Sequence, residues 1–169
     1  MKVLLSAERI QERVAELARE IARDYGKQPV TIVGVLTGCL MFLADLVRHL
    51  DLPLRIDLVQ ASSYRGPNTR PAQLVVSPNL ALDVRGRHVL LLDDILDTGQ
   101  TLHYLTTYLN TLEVASLRIA VLLRKEGRQQ IALDPHYCGF TIPDAFVVGY
   151  GLDYNDAYRN LPHIAVLEE

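Results

Sequence analysis

Cysteine is scarce in this chain of 169 residues: only Cys39 and Cys138 are present, far apart. That excludes a disulfide framework, and with no CxxC pair or Cys/His cluster nothing points to zinc. Long apolar runs are missing too. No stretch approaches the roughly 18 residues needed to span a bilayer, and the opening MKVLLSAERIQER has too short an apolar run for a signal core. A cytoplasmic protein without a membrane partner is expected. Nor is there an excess of positive charge, since 17 Lys and Arg against 20 Asp and Glu leave a formal net charge of -3. This removes the electrostatic reason to expect nucleic-acid binding. Internal repeats, linkers and low-complexity tracts are lacking. The hydrophobic content of 49% suits one core of ordinary size, and residues 1–169 are expected to form a single domain.

The most informative stretch is residues 89–102, VLLLDDILDTGQTL. Four apolar, β-prone residues lead to two adjacent carboxylates, Asp93 and Asp94, then to a small polar loop, Asp97, Thr98 and Gly99, and then to an apolar-periodic helix. A buried strand that ends in a Thr/Gly loop aims the free N–H groups of the next helix at one point, where a phosphate gains hydrogen bonds and the helix dipole. Gly99 permits close backbone approach, and Thr98 and Thr101 add hydroxyl donors. Paired acids beside such a loop hold a divalent cation or accept hydrogen bonds from sugar hydroxyls. Phosphate donors near hydroxyl acceptors fit a ribose 5-phosphate. Taken singly, a DD pair is often a solvated turn and a TG step often only a helix start.

Around this stretch the pattern alternates. Residues 6–25 read as an amphipathic helix with Ser6 as N-cap and Gly26 as its stop, residues 30–36 as a buried strand and residues 41–50 as a helix. Thr37, Gly38 and Cys39 between the last two form a second possible anion loop. Residues 54–62 alternate as a strand and are followed by the Gly/Pro/Asn/Arg-rich SSYRGPNTRP, with residues 73–77 as the returning arm of a hairpin. Further strands are expected at 88–92, 117–123 and 146–148, with a helix stripe of Leu102, Leu105, Leu109 and Leu112. The fold class expected is α/β, an open, mostly parallel sheet flanked by helices, with sites at the carboxyl ends of the strands.

The segment 89–102 resembles the phosphoribosyl-diphosphate signature of the type I phosphoribosyltransferases. Its form DDILDTG, with Asp97, is similar to that of the hypoxanthine/guanine members, and FVVGYGLDYNDAYRNLPHIAVL is close to their C-terminal pattern. The resemblance implies a small hood formed by N- and C-terminal segments, and transfer of ribose 5-phosphate from phosphoribosyl diphosphate to N9 of a 6-oxopurine with Mg2+. It implies Asp97 as general acid/base at the purine N7, and a 5-phosphate cradle of Asp97, Thr98, Gly99, Gln100 and Thr101. Asp93 and Asp94 would hold the ribose hydroxyls, and with Asp153 the magnesium. Lys125 in LLRKEGRQ, Phe146, Val147 and Asp153 would meet the base, Thr37, Gly38 and Arg159 the diphosphate. Ser63 and Tyr64 would begin a closing loop. A homodimer or homotetramer is implied, with the helix at 41–50 a candidate contact surface.

Asp97 also reads as a helix N-cap, Lys125 as a solvated strand-end charge and Phe146 as core. The loop at 36–39 reads Leu-Thr-Gly-Cys where the family usually has a Lys-Gly-Gly run, often after an unusual cis peptide. Gln100 replaces a basic residue of some relatives. Two alternatives stay open: a xanthine-preferring enzyme, and a nucleotide-sensing regulatory protein on the same scaffold.

Overall fold

Ser6 sits in extended backbone and its Oγ accepts the Arg9 amide at 3.1 Å, so the amphipathic segment starts where the N-cap signal lies. In a computed structural model that describes residues 1–64 and 73–168, this segment is α1 (Ala7–Tyr25), which follows β1 (Lys2–Leu5) and ends at Gly26 with φ 62°. The chain continues through β2 (Val30–Leu36), α2 (Leu40–Val47), β3 (Leu54–Tyr64), β4 (Gln73–Ser77), β5 (His88–Leu96), α3 (Gln100–Asn110), β6 (Ser116–Lys125), β7 (Tyr137–Ile142), β8 (Val147–Val148) and β9 (Ile164–Val166).

Six strands form the main sheet in the order β4-β3-β2-β5-β6-β7, parallel except for the β3–β4 hairpin. Its central strands read as unbroken apolar runs because both faces are covered. Ile32, Leu90, Leu92 and Leu122 point into a cluster with Leu17 of α1 and Phe42 and Leu46 of α2. Their neighbours Val33, Val89, Leu91 and Val121 point the other way, onto Leu102, Leu105 and Leu109 of α3. The expected open, mostly parallel α/β sheet is therefore present.

The hood is a second, antiparallel sheet in the order β1-β9-β8, which joins the two chain ends. Residues 146–148, read from sequence like the other strands, belong to this hood and not to the main sheet. β1, β7 and β9 had no counterpart in the sequence reading. β1 and β9 are four and three residues long and find each other across the length of the chain, so no local pattern marks them. β7, YCGFTI, carries a glycine and a threonine that break its apolar run. α2 stops at Val47 rather than at residue 50, and β5 and β6 run further than expected. β3 extends through Ser63 and Tyr64, whose backbones pair with Leu74 and Gln73. The rest of the expected closing loop, residues 65–72, lies outside the described residues.

Asp45 of α2 ties the hood to α1 and α2. It accepts hydrogen bonds from Gln11 of α1 at 3.0 Å, from Arg48, and from the hydroxyl of Tyr150 in the hood. Burial pushes the Asp45 carboxyl up, yet these donors outweigh it and hold the pKa below the usual value. Burial, and then the Asp45 carboxylate, push the Tyr150 phenol up, so it stays a donor. Tyr150→Phe is expected to cost about 1–2 kcal/mol of stability, read as a lower urea midpoint at unchanged slope. A midpoint equal to that of the parent protein would show that this link is idle.

Candidate active site

Parallel pairing of β5 with β6 continues through Asp93↔Val121 to Leu96↔Arg124, so the two acids lie within the strand and not in the loop after it. The ladder holds their backbone rigid. Asp93 is buried, Asp94 partly so, and the Asp93 Oδ1 accepts the Asp94 amide at 2.9 Å. Burial first, and then the adjacent Asp94 charge, raise the Asp93 pKa well above the usual carboxylate value. Burial also raises Asp94, against the pull of hydrogen bonds and the nearby Arg159.

A raised carboxyl pKa gives a definite sign. Above about pH 4 the unfolded chain has released protons that the native pair still holds, so stability of the ligand-free protein falls as pH rises through the pair's raised pKa. Asp93→Asn keeps an acceptor for the Asp94 amide and removes one charge. It is expected to raise ligand-free stability at neutral pH and to flatten the pH slope. Thermal unfolding of both proteins across the acid to neutral range checks this; a flat parent profile with a less stable variant would overturn it.

Beyond β5 the chain turns through Asp97 and Thr98 to Gly99, whose φ of 92° is a left-handed conformation that favours glycine. Gly99, not Asp97, is the N-cap of α3, and the side chain that reaches this helix end is Thr98, whose Oγ1 accepts the Gln100 amide at 3.4 Å. The capping role read for Asp97 is therefore absent. The loop packs beside Ile131, and the cleft is lined by Val35, Ala61, residues 93–102 and Gln130 around a volume of about 410 Å³. Gln130 donates its backbone amide to the Thr98 carbonyl at 3.0 Å and accepts from the Gln100 side chain at 3.1 Å, which pins the loop.

The Asp97 carboxylate is about one-third exposed. Its Oδ1 accepts from Arg128 Nε at 2.9 Å, and its Oδ2 stands 3.7 Å from the largely covered Lys125 Nζ, at the end of β6. A carboxylate that lines the cleft thus has an ammonium donor beside it. Lys125 is accordingly not a freely solvated end charge.

The loop after β2 is clamped from both sides. Its Leu36–Thr37 peptide is cis. A β-carbon on Gly38 would overlap the Asp94 carboxylate, and one on Gly151 would overlap the Gly38 carbonyl, so the loop lies in direct contact with strand acid and hood. Arg159 Nη1 donates to the Gly151 carbonyl at 2.6 Å, and its Nη2 is 3.3 Å from Asp153, which also accepts the Asp156 amide at 2.9 Å. Asp153 is engaged there. Among the described residues no three His, Cys, Asp or Glu side chains gather as a metal cluster, so Asp153 does not complete a three-carboxylate set with Asp93 and Asp94. Two adjacent hard carboxylates nonetheless fit Mg2+, which binds through one or two carboxylates and takes its remaining oxygens from water and substrate phosphates.

Phe146 is 48% exposed, not core, and meets Tyr154 edge to face at 5.6 Å, while Val147 is buried in β8. Arg128, Gln130, Gly151 and Tyr154 were not singled out from sequence. Gly151 and Tyr154 lie within the C-terminal motif and could have been. Arg128 and Gln130 sit in a polar loop with no periodicity, and only folding brings them to the cleft.

A family model described as "Phosphoribosyl transferase domain" matches residues 2–155. The hypoxanthine-guanine phosphoribosyltransferase of Streptococcus pneumoniae is 43% identical over 169 residues, covering 99% of this chain and 93% of its own. That of Bacillus subtilis is 41% identical over 167 residues, with the same coverage. A crystal structure of a hypoxanthine phosphoribosyltransferase from Staphylococcus aureus superposes with a TM-score of 0.92 at 41% identity, covering 99% of this chain and 91% of that one.

Proposed function

The chain belongs to the phosphoribosyl transferase domain family, and from that membership we propose that its cleft performs a purine-salvage reaction. The 5-phosphoribosyl group passes from phosphoribosyl diphosphate to N9 of hypoxanthine or guanine, giving IMP or GMP and diphosphate. The single observation that carries the choice of base is the pair Asp97 Oδ2 and Lys125 Nζ, 3.7 Å apart. A 6-oxopurine presents an N7 proton beside an O6 acceptor, and this pair offers the matching acceptor and donor. Lysine cannot accept, so a 6-amino group in place of O6 meets no partner.

Each part of the site then has one task. Thr98, Gly99, Gln100 and Thr101, with the Asp97 backbone, take the 5-phosphate on the amides of the α3 start. Asp93 and Asp94 accept from the ribose hydroxyls. Thr37, Gly38 and Arg159 meet the diphosphate, the first two through backbone and the third through its guanidinium. Phe146 stacks on the base, with Val147 and Asp153 at its edge. Ser63 and Tyr64 begin the segment that closes over the site.

The bond from C1′ to the diphosphate oxygen breaks with its electron pair leaving on diphosphate, and N9 bonds to the electron-poor C1′. The proton left over on the imidazole ring departs from N7 to the Asp97 carboxylate. Asp93 and Asp94 would hold Mg2+, which when bound would supply charge neutralisation for the leaving diphosphate.

The test is an absorbance assay of hypoxanthine with phosphoribosyl diphosphate and Mg2+. Turnover is expected, and no turnover together with salt-sensitive RNA binding would favour the regulatory reading. Competition among hypoxanthine, guanine, xanthine and adenine in the same assay ranks the bases, with adenine expected to be excluded. A homodimer or homotetramer is proposed, with α2 as the candidate contact surface; sedimentation of the purified protein decides it.

A further inference from the structure

The two oxygens of the Asp97 carboxylate have different neighbours. Oδ1 receives the Arg128 Nε hydrogen at 2.9 Å, the only side-chain hydrogen bond to Asp97 among the described residues. Oδ2 is 3.7 Å from Lys125 Nζ, too long for a hydrogen bond. Arg128 Nε also lies 3.8 Å from Asp144, two residues before Phe146. One guanidinium thus joins the acid after β5 to the segment that carries the exposed aromatic.

Resting on the transfer reaction proposed above, we infer that Arg128 is a positioning residue: it ties Oδ1 of Asp97 so that Oδ2 stays turned to the base edge beside Lys125. A carboxylate held on one oxygen cannot rotate freely about Cβ–Cγ, and small misplacements of a reacting group cost large factors in rate. When a base draws Lys125 to its O6, Arg128 remains as the countercharge of Asp97. An arginine suits this place because it stays protonated throughout and cannot compete for the N7 proton. Asp144, 3.8 Å from the same Nε, adds a weaker second countercharge. The ion pair is half exposed, and such pairs contribute little to folding, so the fold does not depend on it.

Arg128→Met keeps the aliphatic stem and removes every donor. It is expected to lower kcat about tenfold, a part of what a general base contributes, with KM for hypoxanthine and for phosphoribosyl diphosphate within about twofold of the parent. Arg128→Lys, with charge but no fixed fork, is expected to recover part of kcat. In an Asp97→Asn background the Arg128→Met change is expected to cost nothing further, because the group it orients is gone. Should the methionine variant fail to fold, the same split is read on Arg128→Gln. Unchanged kcat, a full further loss in the Asp97→Asn background, or a tenfold rise in KM for phosphoribosyl diphosphate at constant kcat would overturn the inference. A parent protein with no turnover would instead sink the transfer reaction itself.

Discussion

Asp97→Asn is expected to lower kcat about 10² to 10³-fold while barely altering nucleotide binding, the pattern of a residue used chiefly for proton transfer. Asparagine has nearly the same shape and can still accept from Arg128, so the loop should keep its geometry. What it cannot do is take the N7 proton. The loss should therefore fall on the chemical step, with KM for both substrates and the affinity for IMP close to those of the parent. Steady-state kinetics with IMP titration separates the two quantities. A rate equal to the parent's would reduce Asp97 to a loop residue, and since Gly99 caps α3 there would be no capping role to fall back on.

Gly38→Ala should be nearly as damaging for a different reason. A single methyl group there would overlap the Asp94 carboxylate, and Gly151 has no room to yield because its own missing β-carbon is what admits the Gly38 carbonyl. Either Asp94 turns away from the cleft or the 37–39 loop lifts off the hood. Displacements on the ångström scale at a reacting centre cost about 10²-fold, so kcat/KM for phosphoribosyl diphosphate is expected to fall by about that factor or more. The core is untouched, and the thermal midpoint should drop by only a few degrees, about 1 kcal/mol in a chain of this size. A variant that keeps full activity would show that this loop plays no part in binding diphosphate. Gly151→Ala, at φ 97° and against the same carbonyl, should behave alike and serves as the independent check.

Much of this molecule was legible before folding because its signals are local. The VLLLDDILDTGQTL stretch carries its own strand, acids, glycine and helix start, and Ser6 and Gly26 bracket α1 as caps should. The β2 strand and the hairpin of β3 with β4 followed from apolar runs and turn residues. Where strands end was less legible: periodicity changes at Asp93 because a carboxylate is polar, yet the ladder to β6 carries the strand on to Leu96. Hydrogen bonds from a neighbouring strand overrode the local pattern.

By itself, then, the order of residues determined the α/β class, the Thr/Gly loop before α3, the paired acids and the family to which the chain belongs, all of them properties of contiguous segments. Only the tertiary structure decided that β1 and β9 build the hood together, that Arg128 reaches Asp97, that Phe146 stands exposed against Tyr154, and that Gly38 is closed in between Asp94 and Gly151. Those contacts join residues tens of positions apart, so they arise from how sheet, loops and hood pack. No periodicity along the chain encodes a distance across it.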